Sequence, residues 1–174
     1  KRLAEINDVF ENNASDYGRK LYLIENCIYG IDIQPIAVQI SKLRFFISLV
    51  IDQNKQTSKE NFGIRSLPNL ETKFVAANTL IGLDKPELKS GDMFLQETYE
   101  KIKVLSSELK GVRHKYFSAN NRPEKQKLQG KDKLLRKKIS EQLEKVGYTQ
   151  SNAHKIADFD PYDQNHFANW FEIE

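Results

Sequence analysis

The sequence predicts an α/β fold that is helix-rich overall, in which a small parallel sheet carries a long antiparallel helical hairpin. Two observations predict this class. Residues 26–78 follow the order strand, helix, strand, which is the pattern of a parallel crossover unit. Residues 94–146 then form two striped, helix-like stretches joined by a short polar turn, as in a helical hairpin.

The first strand is predicted at residues 26–33, where an apolar, β-branched run is typical of a strand covered on both faces. Upstream, residues 3–12 carry apolar side chains at helical spacing and predict the end of a helix. The polar stretch at residues 12–18 indicates a turn. We therefore expect the chain to enter the sheet through a helix and a turn.

The crossover helix is predicted over residues 36–51, because Pro35 suits the first position of a helix. This segment is apolar nearly all round, so we expect it to be buried rather than to lie on a surface. A polar loop follows at residues 52–70, and residues 73–78 predict the second strand. The two strands should then be parallel neighbours.

The hairpin is predicted from two stripes of apolar residues at spacings of three and four. Its helices are expected at residues 94–117 and at about 124–146, and Gly147 suits the end of the second helix. A short helix is expected at residues 150–157, with Thr149 as its N-cap. The aromatic-rich tail that follows shows no period.

These elements divide the chain into three predicted regions. They are an α/β unit at residues 1–89, a basic helical hairpin insertion at residues 90–147, and a short helix with a tail at residues 148–174. An α/β unit without neighbouring strands exposes its sheet edges, so we also expect the chain to self-associate.

The composition is that of a soluble globular protein, with 174 residues of which 39% are apolar and 29% charged. The single cysteine, Cys27, excludes an internal disulfide and fits a reducing cytoplasm. No leader and no membrane-spanning run is apparent, so we expect a cytoplasmic protein without a membrane partner. Because the only methionine is Met93, we interpret the chain as a segment of a longer polypeptide.

Polar residues at the ends of both predicted strands suggest a ligand site. Asp32 follows the first strand, where a carboxylate accepts hydrogen bonds from the ribose hydroxyls of a nucleoside cofactor, and Ile33 is suited to pack on a purine. Asn78 follows the second strand, and its amide both donates to and accepts from an adenine edge. The alternatives are that Asp32 caps the following helix and that Asn78 only forms a turn.

Three blocks of the sequence resemble, in the same order, those of adenine-specific DNA methyltransferases in bacterial type IIG restriction–modification enzymes. The first block, IYGIDIQPIAVQISKLRF at residues 28–45, is similar to the region after the cofactor loop. The second, LPNLETKFVAANTLI at residues 67–81, resembles the next motif of that family. The third, FDPYDQN at residues 159–165, resembles the block before the catalytic motif. The resemblance thus spans nearly the whole chain.

The resemblance implies a partial Rossmann-like methyltransferase sheet and S-adenosylmethionine as the cofactor of the intact enzyme. By analogy Asp32 holds the ribose, Ile33 lines the adenine pocket, Asn78 bonds the adenine amino group and Thr79 follows at the pocket wall. The intact enzyme would methylate adenine N6 in double-stranded DNA, and a separate endonuclease domain is a further possibility within this family.

Two motifs of that family do not occur in the 174 residues. The glycine-rich loop that cradles the methionine end of the cofactor is missing, and so is the Asn/Asp-Pro-Pro-Tyr/Phe motif that holds the flipped adenine. Asp160-Pro-Tyr lacks the second proline, so we assign no catalytic residue. The three histidines show no metal-ligand spacing, and no metal site is predicted. We therefore expect the isolated chain to be inactive.

The positive charge is concentrated in the predicted hairpin. Residues 101–147 contain 14 basic and 5 acidic residues, a net charge of +9, whereas the remainder has 13 basic and 19 acidic residues, a net charge of −6. This asymmetry indicates a polyanionic partner such as DNA, although a solvated outer face of two helices has the same pattern. The candidate DNA contacts are Arg113, Lys115, Arg122, Lys131, Lys133, Arg136, Lys137 and Lys138.

Two other readings of the sequence stay open. A non-enzymatic helical module that binds nucleic acid or protein would use the hairpin and keep the α/β part as a scaffold. A nicotinamide-dinucleotide fold also ends its second strand with an acidic residue, but no Gly-x-Gly-x-x-Gly run precedes Asp32.

Overall fold

The computed structural model describes residues 16–53, 55–83, 86 and 93–171. Within this part of the chain the fold is helix-rich with a two-stranded parallel sheet, which confirms the predicted class in that form. The predicted helix at residues 3–12 lies outside the described residues. The elements are α1 (Asp16–Asn26), β1 (Gly30–Asp32), α2 (Pro35–Ile51), a 3₁₀ turn (Glu60–Gly63), β2 (Phe74–Ala76), α3 (Met93–Ser118), α4 (Arg122–Lys145) and α5 (Gln150–Asp158).

Helix α1 includes Asp16, Tyr17 and Gly18, where the sequence had indicated a turn, so that prediction was wrong for these three residues. The physical reason is the packing of this helix against the rest of the fold. Tyr17 and Ile24 are buried on one face of the helix and belong to the core beside the sheet. Burial of these side chains outweighs the poor helix propensity of glycine, which costs about 1 kcal/mol relative to alanine.

The sheet pairs β1 with β2 in parallel, as the crossover pattern predicted. Gly30 lies opposite Phe74 and Asp32 opposite Ala76. Each strand has three residues and is shorter than the runs predicted at 26–33 and 73–78. Glycine suits the first pair, because a Cβ atom on Gly30 would lie 2.3 Å from Cδ1 of Phe74 and would force the strand or the ring to move.

Helix α2 begins at Pro35 as predicted, but the expectation that it is buried on all sides was wrong. Its buried residues are Val38, Lys42 and Leu49, which face the sheet. The opposite face carries five apolar residues that are 49–65% exposed and repeat at spacings of four and three, the pattern of a helix-packing seam. Its members are Ile36, Ile40, Leu43, Ile47 and Val50. We call this set the α2 stripe.

Helices α3 and α4 form the predicted hairpin and are joined by a short turn. Asn121 caps α4, since its Oδ1 accepts a hydrogen bond from the amide of Glu124 at 2.9 Å. After α4, Gly147 adopts a φ of +94°, which is the left-handed conformation expected where a helix ends. Helix α5 then begins after Thr149, whose hydroxyl accepts from the amide of Asn152, so the predicted cap is confirmed.

Two apolar clusters form the core. One lies between α1, α2 and the sheet and includes Phe117 from the end of α3, so the hairpin is anchored in the α/β part. The other lies between α3, α4 and α5. Asn69 ties the two parts together, because its Nδ2 donates to the carbonyl oxygens of Tyr116 and Ala119, both at 2.7 Å. Within the described residues, no helix is long and apolar enough to cross a membrane.

Candidate functional site at the carboxyl edge of the sheet

The carboxyl ends of β1 and β2 meet at one edge of the sheet and bring the predicted site residues together. Asp32 pairs with Ala76, and the amide of Ala77 donates to the carbonyl oxygen of Asp32 at 2.9 Å. Asp32 therefore ends one strand where Asn78 lies just beyond the end of its neighbour. This is the edge at which ligands bind in open α/β sheets.

The Asp32 carboxylate is exposed and bonded locally. Its Oδ1 accepts a hydrogen bond from the amide of Gln34 at 2.8 Å, which closes a turn before α2. Gln34 is the N-cap residue of α2 and has no side-chain capping bond. Asp32 therefore does not cap the helix, and no ion pair engages it within the described part of the chain. Its other oxygen can accept hydrogen bonds from a ligand.

Apolar side chains next to Asp32 are exposed at the same edge. Ile33 is 58% exposed, directly after the strand. Tyr29, just before the strand, is 66% exposed, and Nζ of Lys73 lies 4.0 Å from the centre of its ring. Ile33 therefore offers an exposed apolar surface beside Asp32.

Asn78 is half-buried at the end of β2 and is fixed on both sides. Its backbone amide donates to the carbonyl oxygen of Ala168 at 2.9 Å. Its side-chain Oδ1 accepts from the backbone amide of Leu80 at 3.0 Å. Asn78 thus does form a turn, while none of the described residues accepts a hydrogen bond from its Nδ2, which can donate to a ligand. Thr79 is exposed in the same turn.

A third segment joins the sheet beside β2, and the sequence did not predict it. Ala168 forms a parallel bridge with Ala77, and its amide donates to the carbonyl oxygen of Ala76 at 3.0 Å. Three residues on, the amide of Phe171 donates to the carbonyl oxygen of Ile81 at 2.7 Å. The aromatic tail therefore runs beside the carboxyl end of β2 and holds the backbone of Asn78 through Ala168.

A buried carboxylate in the hairpin, Asp132, is the second feature that sequence reasoning missed. Asp132 is 0% exposed, and its oxygens bind Nε of Arg136 at 2.7 Å and Nε of Arg113 at 2.9 Å. The hydroxyl of Tyr162 donates to Oδ2 of Asp132 at 3.1 Å. Burial and this carboxylate raise the pKa of Tyr162 well above its usual range, so the phenol keeps its proton.

Arg136 extends this cluster to the end of α5. Its Nη1 donates to the carbonyl oxygen of Ala157 at 2.6 Å and also to that of Phe159. A sequence signal for the cluster existed, since Asp132 and Arg136 are four residues apart on a helix, but the aspartate sits inside a lysine-rich run that suggests a solvated face.

The structure corrects the set of candidate DNA contacts. Arg136 is 3% exposed and bound to Asp132, so it is not available to a phosphate, and the Arg113 guanidinium is engaged by the same carboxylate. The remaining six candidates are exposed on the hairpin. They are Lys115, Arg122, Lys131, Lys133, Lys137 and Lys138.

The Asp160-Pro-Tyr sequence is not arranged as a base-binding site. Oδ1 of Asp160 accepts from the amide of Tyr162 at 3.0 Å, which forms a local turn. The Tyr162 ring points inward and meets the ring of Tyr116 edge-on, with 4.7 Å between the ring centres. In this position the Tyr162 side chain is engaged by Tyr116 and Asp132.

A groove beside the tail does not include the predicted cofactor residues. An open groove of about 850 Å³ lies between α5 and residues 166–170, and none of the predicted cofactor residues lines it. Its walls include His154, Phe159 and Trp170. Among the residues that the structure describes, no group of three or more His, Cys, Asp or Glu is placed to hold a metal ion.

Comparisons with known proteins add the family context. A family model described as Eco57I restriction-modification methylase matches residues 26–171, most of the chain. A protein of Methanocaldococcus jannaschii that carries the name of a type II restriction enzyme and methyltransferase is 31% identical over 122 residues. That alignment covers 70% of this chain and 10% of the relative, so the chain spans about a tenth of the relative's length. No solved structure matches the chain with significance.

Proposed function

The chain belongs to the Eco57I restriction-modification methylase family, and on that premise we propose that it is an internal part of a DNA adenine-N6 methyltransferase. In the intact enzyme its sheet is one portion of a Rossmann-like methyltransferase domain, and its strand ends bind the adenosine part of S-adenosylmethionine. The isolated chain is inactive, because the 174 residues contain neither the glycine-rich loop nor the catalytic motif.

The observation that supports this proposal is that Asp32, at the end of β1, and Asn78, two residues beyond its partner Ala76 on β2, lie at the same edge of the sheet. The chemistry of the residues fits an adenosine. The Asp32 carboxylate accepts hydrogen bonds from two ribose hydroxyls, exposed Ile33 packs on the purine, and the Asn78 amide bonds its polar edge, with Thr79 beside it. S-adenosylmethionine supplies the transferable methyl group when it is bound.

Two exposed surfaces support the proposal that the sheet is incomplete. β1 pairs with β2 on one side, and within the described residues no strand pairs with its other side. The α2 stripe presents five large apolar side chains to solvent on the helix that covers this sheet. Further strands and helices of a longer polypeptide would cover both surfaces, since exposed apolar patches of this kind mark interaction sites.

The hairpin would serve as an arm that contacts the DNA backbone. Its exposed basic residues include Lys131, Lys133, Lys137 and Lys138, which lie on α4 away from the second core cluster. Lysine side chains bind phosphates as point charges without reading the bases. Recognition of the DNA sequence is therefore assigned to parts of the enzyme outside this chain, and so is any endonuclease activity.

The test is titration of S-adenosylmethionine into the polypeptide that contains this chain with its flanking sequence. Asp32→Ala should weaken binding roughly tenfold or more, because hydrogen bonds to a charged group contribute about 1.5–3 kcal/mol. Glu108→Ala is the control, since Glu108 is an exposed carboxylate on α3 that belongs neither to the sheet edge nor to the tail. The control should bind like the wild type.

Equal affinity of wild type and Asp32→Ala would overturn the assignment of Asp32. If the wild-type polypeptide does not bind S-adenosylmethionine but binds DNA in a salt-dependent manner, the exposed hairpin lysines would carry the function. The non-enzymatic binding module would then be the better description.

A further inference from the structure

The buried Asp132 cluster lies between the hairpin and the segment that supports the candidate site. The hydroxyl of Tyr162 bonds Oδ2 of Asp132, and Nη1 of Arg136 bonds the carbonyl oxygen of Phe159. Both contacts hold the start of the aromatic tail against α4. The Tyr162 ring also packs on Tyr116 of α3, so Tyr162 contacts both helices of the hairpin.

From Tyr162 the tail reaches the sheet within six residues, through a turn that is closed by its own hydrogen bonds. The amide of His166 donates to the carbonyl oxygen of Asp163 at 3.1 Å. Nε2 of Gln39, on α2, donates to the carbonyl oxygen of Gln164 at 3.2 Å. The segment between Tyr162 and Ala168 is therefore short and is held by hydrogen bonds, both within the turn and from α2.

Ala168 in turn fixes the end of β2. Its amide binds the carbonyl oxygen of Ala76, and its carbonyl oxygen accepts from the amide of Asn78, so it holds β2 on both sides of Ala77. The side chain of Asn78 takes its direction from this backbone and from its bond to Leu80. A continuous series of contacts thus links the hairpin to Asn78, one of the proposed adenosine-binding residues.

We propose that Asp132 is a positioning residue, which holds Tyr162 and, through the tail, sets the place of Asn78 at the cofactor-binding edge. The part that concerns the cofactor rests on the proposed function. Helix α4 then has two roles. It carries the exposed lysines, and its Asp132 carboxylate positions the sheet edge.

Tyr162→Phe isolates this link, because it removes the hydroxyl donor and keeps the ring that packs on Tyr116. Hydrogen exchange in this chain should become roughly tenfold faster at the amides of Asn78 and Ala168, which corresponds to the loss of one hydrogen bond to a charged acceptor. Exchange within α3 and α4 should stay unchanged. The matched control is Tyr99→Phe, a partly buried tyrosine of the second core cluster that lies away from the tail.

The second readout is the affinity for S-adenosylmethionine in the longer polypeptide, which Tyr162→Phe should lower several-fold and Tyr99→Phe should not change. Unchanged exchange at both amides would overturn the proposal. So would faster exchange throughout the chain, since it would show a general role in stability. If the wild-type polypeptide binds no S-adenosylmethionine, the proposed function fails, and the exchange experiment still decides whether Asp132 positions the edge.

Discussion

Nε of Arg136 lies 2.7 Å from Oδ1 of Asp132, one helical turn earlier on α4, and both side chains are buried. The same carboxylate binds Arg113 on α3. This ion pair joins the two helices of the hairpin in addition to their apolar packing. Removing one member of a buried ion pair leaves an uncompensated charge, which is far more costly than removing both members.

Asp132→Ala should therefore lower the free energy of unfolding by about 3–5 kcal/mol, because the buried Arg136 guanidinium and the partly buried Arg113 guanidinium lose their counter-ion. Urea denaturation of wild type and variant measures the difference. Glu108→Ala, an exposed carboxylate on α3, is the control and should stay within about 0.5 kcal/mol of the wild type. A loss below about 1 kcal/mol for Asp132→Ala would contradict a buried ionic role.

Two glycine-to-alanine variants should change stability in opposite directions. Gly30→Ala places a Cβ atom 2.3 Å from Cδ1 of Phe74, so the strand or the ring must move, at a cost of about 1–3 kcal/mol. Gly130→Ala, in the interior of α4, meets nothing within 4 Å and should stabilise the protein by about 0.5–1 kcal/mol. Chemical denaturation of both variants checks the signs, and equal effects would contradict the packing at β1.

The α2 stripe should drive self-association of the isolated chain. Replacing Ile40 and Ile47 by glutamate should shift the sedimentation coefficient toward that of a monomer, because both residues are exposed and charge disfavours apolar association. The fold should survive. Leu49→Glu, on the buried face of the same helix, is the contrasting variant and should unfold the chain. A monomeric wild type at high concentration would argue against the stripe as an association surface.

The lysines of α4 should set the salt dependence of DNA binding. Changing Lys131, Lys133, Lys137 and Lys138 together to glutamine should reduce the slope of log K against log salt by up to about 3.6, since each lost phosphate contact removes about 0.9. The control changes Lys101 and Lys103 to glutamine, because these pair with Glu97 and Glu100 on α3. Equal slopes in all three proteins would mean that the α4 lysines are a solvated face.

The protein should lose stability above pH 10 in part through Tyr162. Burial, and next the Asp132 carboxylate, raise its pKa in the folded state, so the unfolded chain releases the proton first as the pH rises. The stabilisation is fully present below pH 10 and decreases above it by about 1.4 kcal/mol per pH unit. Denaturation of wild type and Tyr162→Phe at pH 9, 10 and 11 measures this slope.

Tyr162→Phe should flatten that slope by the stated amount. The comparison cancels the contributions of Tyr17 and Tyr116, whose pKa values burial also raises, and of Lys42, whose pKa burial lowers. Parallel curves for the two proteins would show that Tyr162 ionises alike in the folded and unfolded states.

The local patterns of the sequence predicted most elements correctly. Apolar spacing placed the hairpin and α5 to within a few residues, and Pro35, Thr149 and Gly147 marked helix ends that the structure confirms. The meeting of Asp32 and Asn78 at one edge followed from the parallel crossover alone. In each case the deciding interactions lie within a few residues or between neighbouring strands.

Long-range contacts explain the failures. Nothing near Ala168 in the sequence indicates that it pairs with Ala77, and the acidic Asp132 looks like one charge among many on a solvated helix. The exposure of the α2 stripe was missed for a related reason. The apolar residues of α2 indicate that this helix face is suited to packing against another element. They do not indicate whether that element lies within the described residues.

The bridge between Ala77 and Ala168 also has a consequence for the order in which the protein folds. The two residues are separated by the whole hairpin, so their pairing closes a long loop and is entropically costly while that loop is unstructured. Helices α3, α4 and α5 depend on contacts that are closer in sequence and therefore form sooner. We expect the tail to dock last, after the hairpin has shortened the loop, so that on the ribosome the sheet edge is finished only once residue 168 has emerged.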